Sequence, residues 1–150
     1  MSASIIGIRS FLRQLANQTV AASTTLVAST NLQFLLAANR TAHARFLVPF
    51  TLGATGGYKF QIINAATSSA FLFTAMVTDA TTPAFNNAVV QTSTAAFANA
   101  LAVAGNHFLQ AELDITQGAT GGVISLQFAC NSAANSIILL AGASMDLIQL

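Results

Sequence analysis

An all-β fold, a jelly-roll-like β-sandwich built from two similar halves, is predicted by three features of this 150-residue chain. Apolar and polar side chains alternate strictly along several segments, a glycine-rich segment occurs twice, and turn clusters recur at short spacing. The chain is long enough to bury one sizeable core, and its 54% hydrophobic content excludes a disordered polypeptide.

The first element differs from the rest. Ile5, Ile8, Leu12 and Leu15 recur at three- and four-residue steps with Phe11 beside them, while Arg9 and Arg13 stand four apart at other positions. This spacing predicts an amphipathic helix of about three turns, capped by Ser2 or Ser4, as an N-terminal arm over residues 1–17. So short a helix is marginal alone, so its stripe must be buried. Two burials are open: on the chain's own sandwich, or in trans on a partner. For the second, Ile5, Ile8, Arg9, Phe11, Leu12, Arg13 and Leu15 form the partner-docking set.

Residues 18–150 read as a single β-sandwich domain carrying an internal repeat, about 20–86 and 87–150. Thr51-Leu-Gly-Ala-Thr-Gly-Gly57 returns 65 residues later as Thr116-Gln-Gly-Ala-Thr-Gly-Gly122. Asn64-Ala-Ala-Thr-Ser-Ser-Ala-Phe-Leu-Phe73 parallels Asn131-Ser-Ala-Ala-Asn-Ser-Ile-Ile-Leu-Leu140, and Leu35–Asn39 parallels Ala102–Asn106, both at an offset of 67. In the first copy, strands are expected at Thr24–Ala28, Leu32–Ala37 and Ala70–Val77. In the second they are expected at Ala88–Thr92, Asn99–Val103 and Ile137–Leu150, the last broken near Gly142. Between them fall the turn clusters Ser29-Thr30-Asn31, Asp79–Pro83, Gly105-Asn106 and Asn131-Ser132. A short alanine helix competes within Ala95–Ala104.

The two glycine loops are flanked by the clearest alternation. Phe46, Val48 and Phe50 point one way and Leu47, Pro49 and Thr51 the other; Leu109, Ala111, Leu113 and Ile115 do the same against Gln110, Glu112, Asp114 and Thr116. After the loops, Tyr58, Phe60 and Ile62 match Ile124, Leu126 and Phe128, one residue out of phase between copies, which predicts a bulge or register change. Each GATGG is therefore expected to close a β-hairpin. Pro49 is expected at an edge or a bulge.

Charge is scarce and segregated. Only 6% of residues are charged, against roughly 25% in ordinary globular proteins. All five basic residues (Arg9, Arg13, Arg40, Arg45, Lys59) precede all four acidic ones (Asp79, Glu112, Asp114, Asp146), so residues 1–59 carry +5 and residues 60–150 carry −4. A net charge of +1 without clustered cations argues against nucleic acid as a partner. No apolar run approaches the roughly 20 residues of a spanning helix, and one tyrosine with no tryptophan does not supply the aromatic girdles of a membrane barrel. The N-terminus does not read as a signal peptide, so the sequons at Asn17 and Asn39 carry no weight.

Catalysis is not expected. His43 and His107 lack the spacing of a two-histidine metal motif and are read as repeat geometry or loop hydrogen bonding. Glu112 and Asp114 share one strand face, which points them at solvent or a neighbouring arginine. Cys130 ends an apolar strand and reads as a buried hydrophobe. GATGG has no following Lys-Ser/Thr and opens no helix, so it is not a phosphate loop. No metal and no cofactor is expected. A surface this poor in charge favours burial against identical subunits or a partner.

The segments Gln18-Thr-Val-Ala-Ala-Ser-Thr-Thr-Leu26, Ala37-Ala-Asn-Arg-Thr41, Gly53-Ala-Thr-Gly-Gly57 and Leu139-Leu-Ala-Gly-Ala-Ser144 resemble small β-rich virion proteins of tailed bacteriophages, similar to head decoration (cement) proteins. Ala42 stands where that pattern has an aromatic residue. The resemblance implies a virion protein made in the host cytoplasm, a homo-oligomer with three copies, seated on the major capsid protein or another virion protein and stabilising the head. The alternative is a tail, baseplate or fibre accessory protein with an attachment or receptor-binding role.

Overall fold

The computed structural model describes residues 7–54, 56–79, 85–92, 95–99 and 103–150. Among them are twelve strands and no helix: β1 (Ile8–Arg13), β2 (Gln18–Ala21), β3 (Val27–Leu36), β4 (Thr41–Leu52), β5 (Tyr58–Asn64), β6 (Ser68–Asp79), β7 (Phe85–Val90), β8 (Phe97–Asn99), β9 (Gly105–Gln117), β10 (Gly122–Cys130), β11 (Ser136–Leu139) and β12 (Ser144–Gln149). They form two antiparallel sheets. The larger runs β1-β12-β4-β9-β6-β7, with β11 joining β4 to β2; the smaller runs β3-β10-β5-β8.

Period-two alternation places the core between the sheets. On β4, Ala42, Ala44, Phe46, Val48, Phe50 and Leu52 are buried, and on β9 Leu109, Ala111, Leu113 and Ile115. They meet Tyr58, Phe60 and Ile62 of β5 and Ile124, Leu126 and Phe128 of β10 in one cluster. Phe50 packs edge-on against Phe60 and Tyr58, with ring centroids 5.0 and 5.3 Å apart, so aromatic contacts tie the two layers directly. A buried amide pair does the same: Asn64 Nδ2 donates to Gln117 Oε1 at 2.7 Å, and Gln117 Nε2 returns a bond to Asn64 Oδ1 at 3.0 Å. Each satisfies the other, which removes the cost of burying two amides.

The repeated segments lie together. β4 pairs with β9 at the middle of the larger sheet, and β5 pairs with β10 at the middle of the smaller one.

Several expectations are corrected. The N-terminal helix is absent: Ile8–Arg13 is β1, paired antiparallel with β12 from Ile8↔Gln149 to Arg13↔Ser144. Without it β12 would present an unpaired edge, and covering that edge outweighs the weak intrinsic stability of a three-turn helix. The expected caps Ser2 and Ser4, and Ile5, lie outside the described residues. The GATGG segments close no hairpins. Each carries the chain from the larger sheet to the smaller, β4 to β5 and β9 to β10. Alternating strands on both sides of a loop fit either geometry, since both leave one buried face per strand.

The glycines serve the two crossings differently. Gly57 adopts φ 78°, a left-handed conformation, whereas a Cβ on Gly122 would meet Ala66 N at 2.9 Å and Ala66 Cβ at 2.8 Å. The one-residue phase change is present, with 58, 60 and 62 inward in β5 and 124, 126 and 128 inward in β10.

Ser29-Thr30-Asn31 is not a turn but part of β3. It occupies the stretch where pairing jumps from Ser125↔Gln33 to Gln127↔Ala28, so turn-forming residues mark a ladder irregularity instead. The strand expected at Thr24–Ala28 begins only at Val27 and is continuous with that expected at Leu32–Ala37. β7 ends at Val90, and β8 lies at Phe97–Asn99; of the strand expected at Asn99–Val103, residues 100–102 lie outside the described residues. Gly105-Asn106 opens β9 instead of turning. Residues 80–83 of the expected turn and the middle of the alanine-rich 95–104 segment fall outside the described residues, and Asp79 ends β6. The break near Gly142 is present, separating β11 from β12. Pro49 is interior to β4 rather than at an edge. It lies opposite that break, and its carbonyl accepts from Leu140 N at 3.1 Å.

Candidate functional site

The N-terminal segment is fastened to the sandwich, not free of it. After β1, Gln14 N donates to Ala143 O at 2.7 Å and Gly142 N donates to Gln14 O at 2.9 Å. The Gln14 side chain is buried, accepting from Ser29 Oγ at 3.0 Å and donating to Thr30 Oγ1 at 3.0 Å. This polar knot joins the first strand to the smaller sheet.

Strand geometry divides the docking set by side-chain direction. Leu12 pairs with buried Met145 and packs against the core. Arg9, Phe11 and Arg13 project from the opposite, outer face of the larger sheet. Ile8, Phe11 and Leu15 are exposed. Phe11, at 69%, is among the most exposed large apolar residues of the chain. Ile8 and Leu15 stand at the two ends of this segment, whose outer edge pairs with nothing among the described residues.

That outer face gathers six of the nine charged side chains: Arg9 and Arg13 on β1, Asp146 on β12, Arg45 on β4, and Glu112 and Asp114 on β9. Arg9 grips Asp146 with two bonds, Nε to Oδ1 at 2.9 Å and Nη2 to Oδ2 at 2.5 Å. Hydrogen bonding from Arg9 holds the Asp146 carboxyl below the usual carboxylate range, helped by the positive charge of Arg9 and Arg45, and Asp146 in turn raises Arg9. His43 Nδ1 lies 2.8 Å from Asp114 Oδ1. Arg45 sits between Asp146 and Glu112, its direct neighbours across both ladders. Among the described residues neither Arg45 nor Glu112 is held in an ion pair.

Beside this charged strip lies a shallow depression of about 350 Å³, lined by Thr74, Met76, Val89, Gln110 and Glu112. Thr74 and Met76 line it from β6, and Val89, 67% exposed on β7, forms its far wall.

The remaining candidates are dispersed. His107 faces inward, opposite to His43, so the two histidines are not equivalent. It stacks on Phe50 at 5.2 Å, and Nε2 lies 3.0 Å from Val103 O. Cys130 is buried with Sγ 3.5 Å from Val20 O, and burial pushes its thiol pKa up, away from reactivity. Among the described residues no three His, Cys, Asp or Glu side chains converge as metal ligands, and no helix is long and apolar enough to cross a membrane. Reading the sequence missed Val89 and the depression. Outward positions are visible in the alternation, but the neighbour relations that join β1, β4, β9 and β7 on one face are not.

No protein-family model matches the chain, and no curated protein does. Among solved structures, a family two carbohydrate esterase from Cellvibrio japonicus is similar over 92% of this chain and 35% of its own, at 7% identity and a TM-score of 0.28. Infectious bursal disease virus of the Gx strain is similar over 99% of this chain and 42% of its own, at 7% identity and a TM-score of 0.23. The VP2 subviral particle of that virus gives 99%, 41%, 5% and 0.20. This chain spans less than half the length of each. Overlap this low carries neither their folds nor their functions to it.

Proposed function

We propose that the protein is a structural component of a virus particle, and more finely a head decoration protein of a tailed bacteriophage. The observation that carries the reading is a β-sandwich with only 6% charged residues, most of them collected on one outer face while apolar side chains remain exposed elsewhere. Such a surface suits a protein buried among copies and partners. We also infer a jelly roll: β1-β12-β4-β9-β6-β7 packs on β3-β10-β5-β8 around one core, in the double-sheet manner used by viral capsid and lectin domains alike. The chain is read as two copies of one unit, 20–86 and 87–150, and its role as non-catalytic.

Docking on the major capsid protein or another virion protein is assigned to the β1 edge, through the exposed Ile8 and Leu15 at its two ends. Arg9, Phe11 and Arg13 belong to the outer face of the larger sheet. Self-association into a homo-oligomer accompanies docking, with three copies as the count implied by the phage resemblance.

Antibody labelling of purified particles tests the reading. Signal over the head is expected. Signal confined to the tail replaces it with the attachment or fibre role, and particles without signal overturn it.

A further inference from the structure

The outer face of the larger sheet is complementary to itself. Because directly paired residues share a face, its side chains fall into rows crossing the strands. One row reads, from edge to edge, Phe11, Asp146, Arg45, Glu112, Thr74 and Val89. A half-turn about an axis parallel to the strands sets each residue over the partner's residue from the same row. Placed between β4 and β9, that axis puts Arg45 over the partner's Glu112, and Glu112 over the partner's Arg45. It sets Phe11 over the partner's Val89, at the depression whose far wall Val89 forms. In the next row, His43 falls over the partner's Asp114 and Ile148 over the partner's Leu72. An in-plane axis across the strands at the same level would oppose Arg45 to the partner's Arg45, so the charges select the orientation.

Three observations support a second copy as the occupant. Arg45 and Glu112 are central, opposite in sign and unengaged in ion pairs among the described residues. Phe11 and Val89 are exposed at opposite ends of the same row. Finally, two sheets with the same twist nest when related by an axis along their strands, as in aligned sandwiches.

We propose that this face joins a second copy of the chain about a twofold axis parallel to the strands between β4 and β9, with Phe11 of each copy seated beside Val89 of the other. The inference rests on the homo-oligomer part of the proposed function and gives it a surface. Two copies form by this contact alone, and six if it joins two trimers.

Mixing two charge variants tests it. Arg45→Glu makes the central pair doubly negative, and Glu112→Arg makes it doubly positive. Each variant is expected to keep its β circular dichroism and to weaken this contact at least ~100-fold in sedimentation equilibrium, because like charges then meet at both central positions. Mixed one to one, the variants are expected to restore the contact, since each now faces its complement. No rearrangement within a single chain produces that rescue. Variants that associate as the wild type does, or a mixture that stays dissociated, overturn the inference. Particle labelling is scored separately: a head signal alongside failed rescue removes only this contact, and rescue without any particle signal removes only the virion role.

Discussion

The outer face of the larger sheet and that of the smaller one arise from the same alternation and rest on the same core, yet they differ in kind. The first carries six charged side chains, two of them locked as Arg9–Asp146. The second presents Gln33, Leu35, Ile63, Val123 and Gln127, with Lys59 its single charge, and the Lys59 ammonium donates to Thr24 O at 3.2 Å. A chain using charge for solubility alone would spread it over both. Collecting it on one face instead fixes the orientation of a contact and rejects wrong ones, which is what charges do best at interfaces.

The largest effect comes from removing what both faces share. Phe50→Ala takes away a fully buried ring that contacts Tyr58, Phe60 and His107, and is expected to cost about 3–5 kcal/mol in urea unfolding. Both faces should be lost in one transition. Next in size is the contrast between faces. Arg45→Glu is expected to abolish self-association in light scattering, while Leu35→Glu on the smaller sheet leaves it unchanged; loss with Leu35→Glu would move the contact to the other face.

A smaller effect separates the faces by pH. The Asp146 carboxyl is held below its ordinary range in the folded chain, so its ionised form is stabilising. That stabilisation is present above the ordinary carboxylate pKa of about 4 and is lost as pH falls through the lowered folded value. Arg9 stays protonated throughout. Arg9→Gln should therefore flatten part of the loss of stability as pH falls from about 5 through the lowered Asp146 value, modestly, because the pair is solvent-exposed. The smallest effect is expected from Leu35→Ser, within about 0.5 kcal/mol of wild type, as for a mostly exposed surface position.

Much of the fold was legible because alternation reports burial directly. The inward residues of β4, β5, β9 and β10 and the break near Gly142 could be read from the sequence. Pairing could not, since Phe46 and Phe60 alternate identically whether their strands are neighbours in one sheet or face each other across two. A GATGG segment between two alternating runs therefore fits a hairpin as well as a crossing between sheets. The arm failed for a related reason: Ile8, Leu12 and Leu15 satisfy a helical period, and only the unpaired edge of β12, distant in sequence, makes a strand the better solution. The candidate site suffered most. Phe11 and the arginines could be singled out, but Val89 and Glu112 become their neighbours or counterparts only through register.

Cross-linking between copies tests the self-complementary face most directly. Phe11 and Val89 are five strands apart in one chain, about 24 Å at the usual strand spacing, too far for a disulfide within a copy. Chains carrying Phe11→Cys and chains carrying Val89→Cys, mixed and mildly oxidised, are expected to yield a covalent dimer of one of each, and neither variant alone should do so; buried Cys130 does not compete. A mixture that stays monomeric under denaturing electrophoresis, or cross-links no better than either variant alone, would contradict the account.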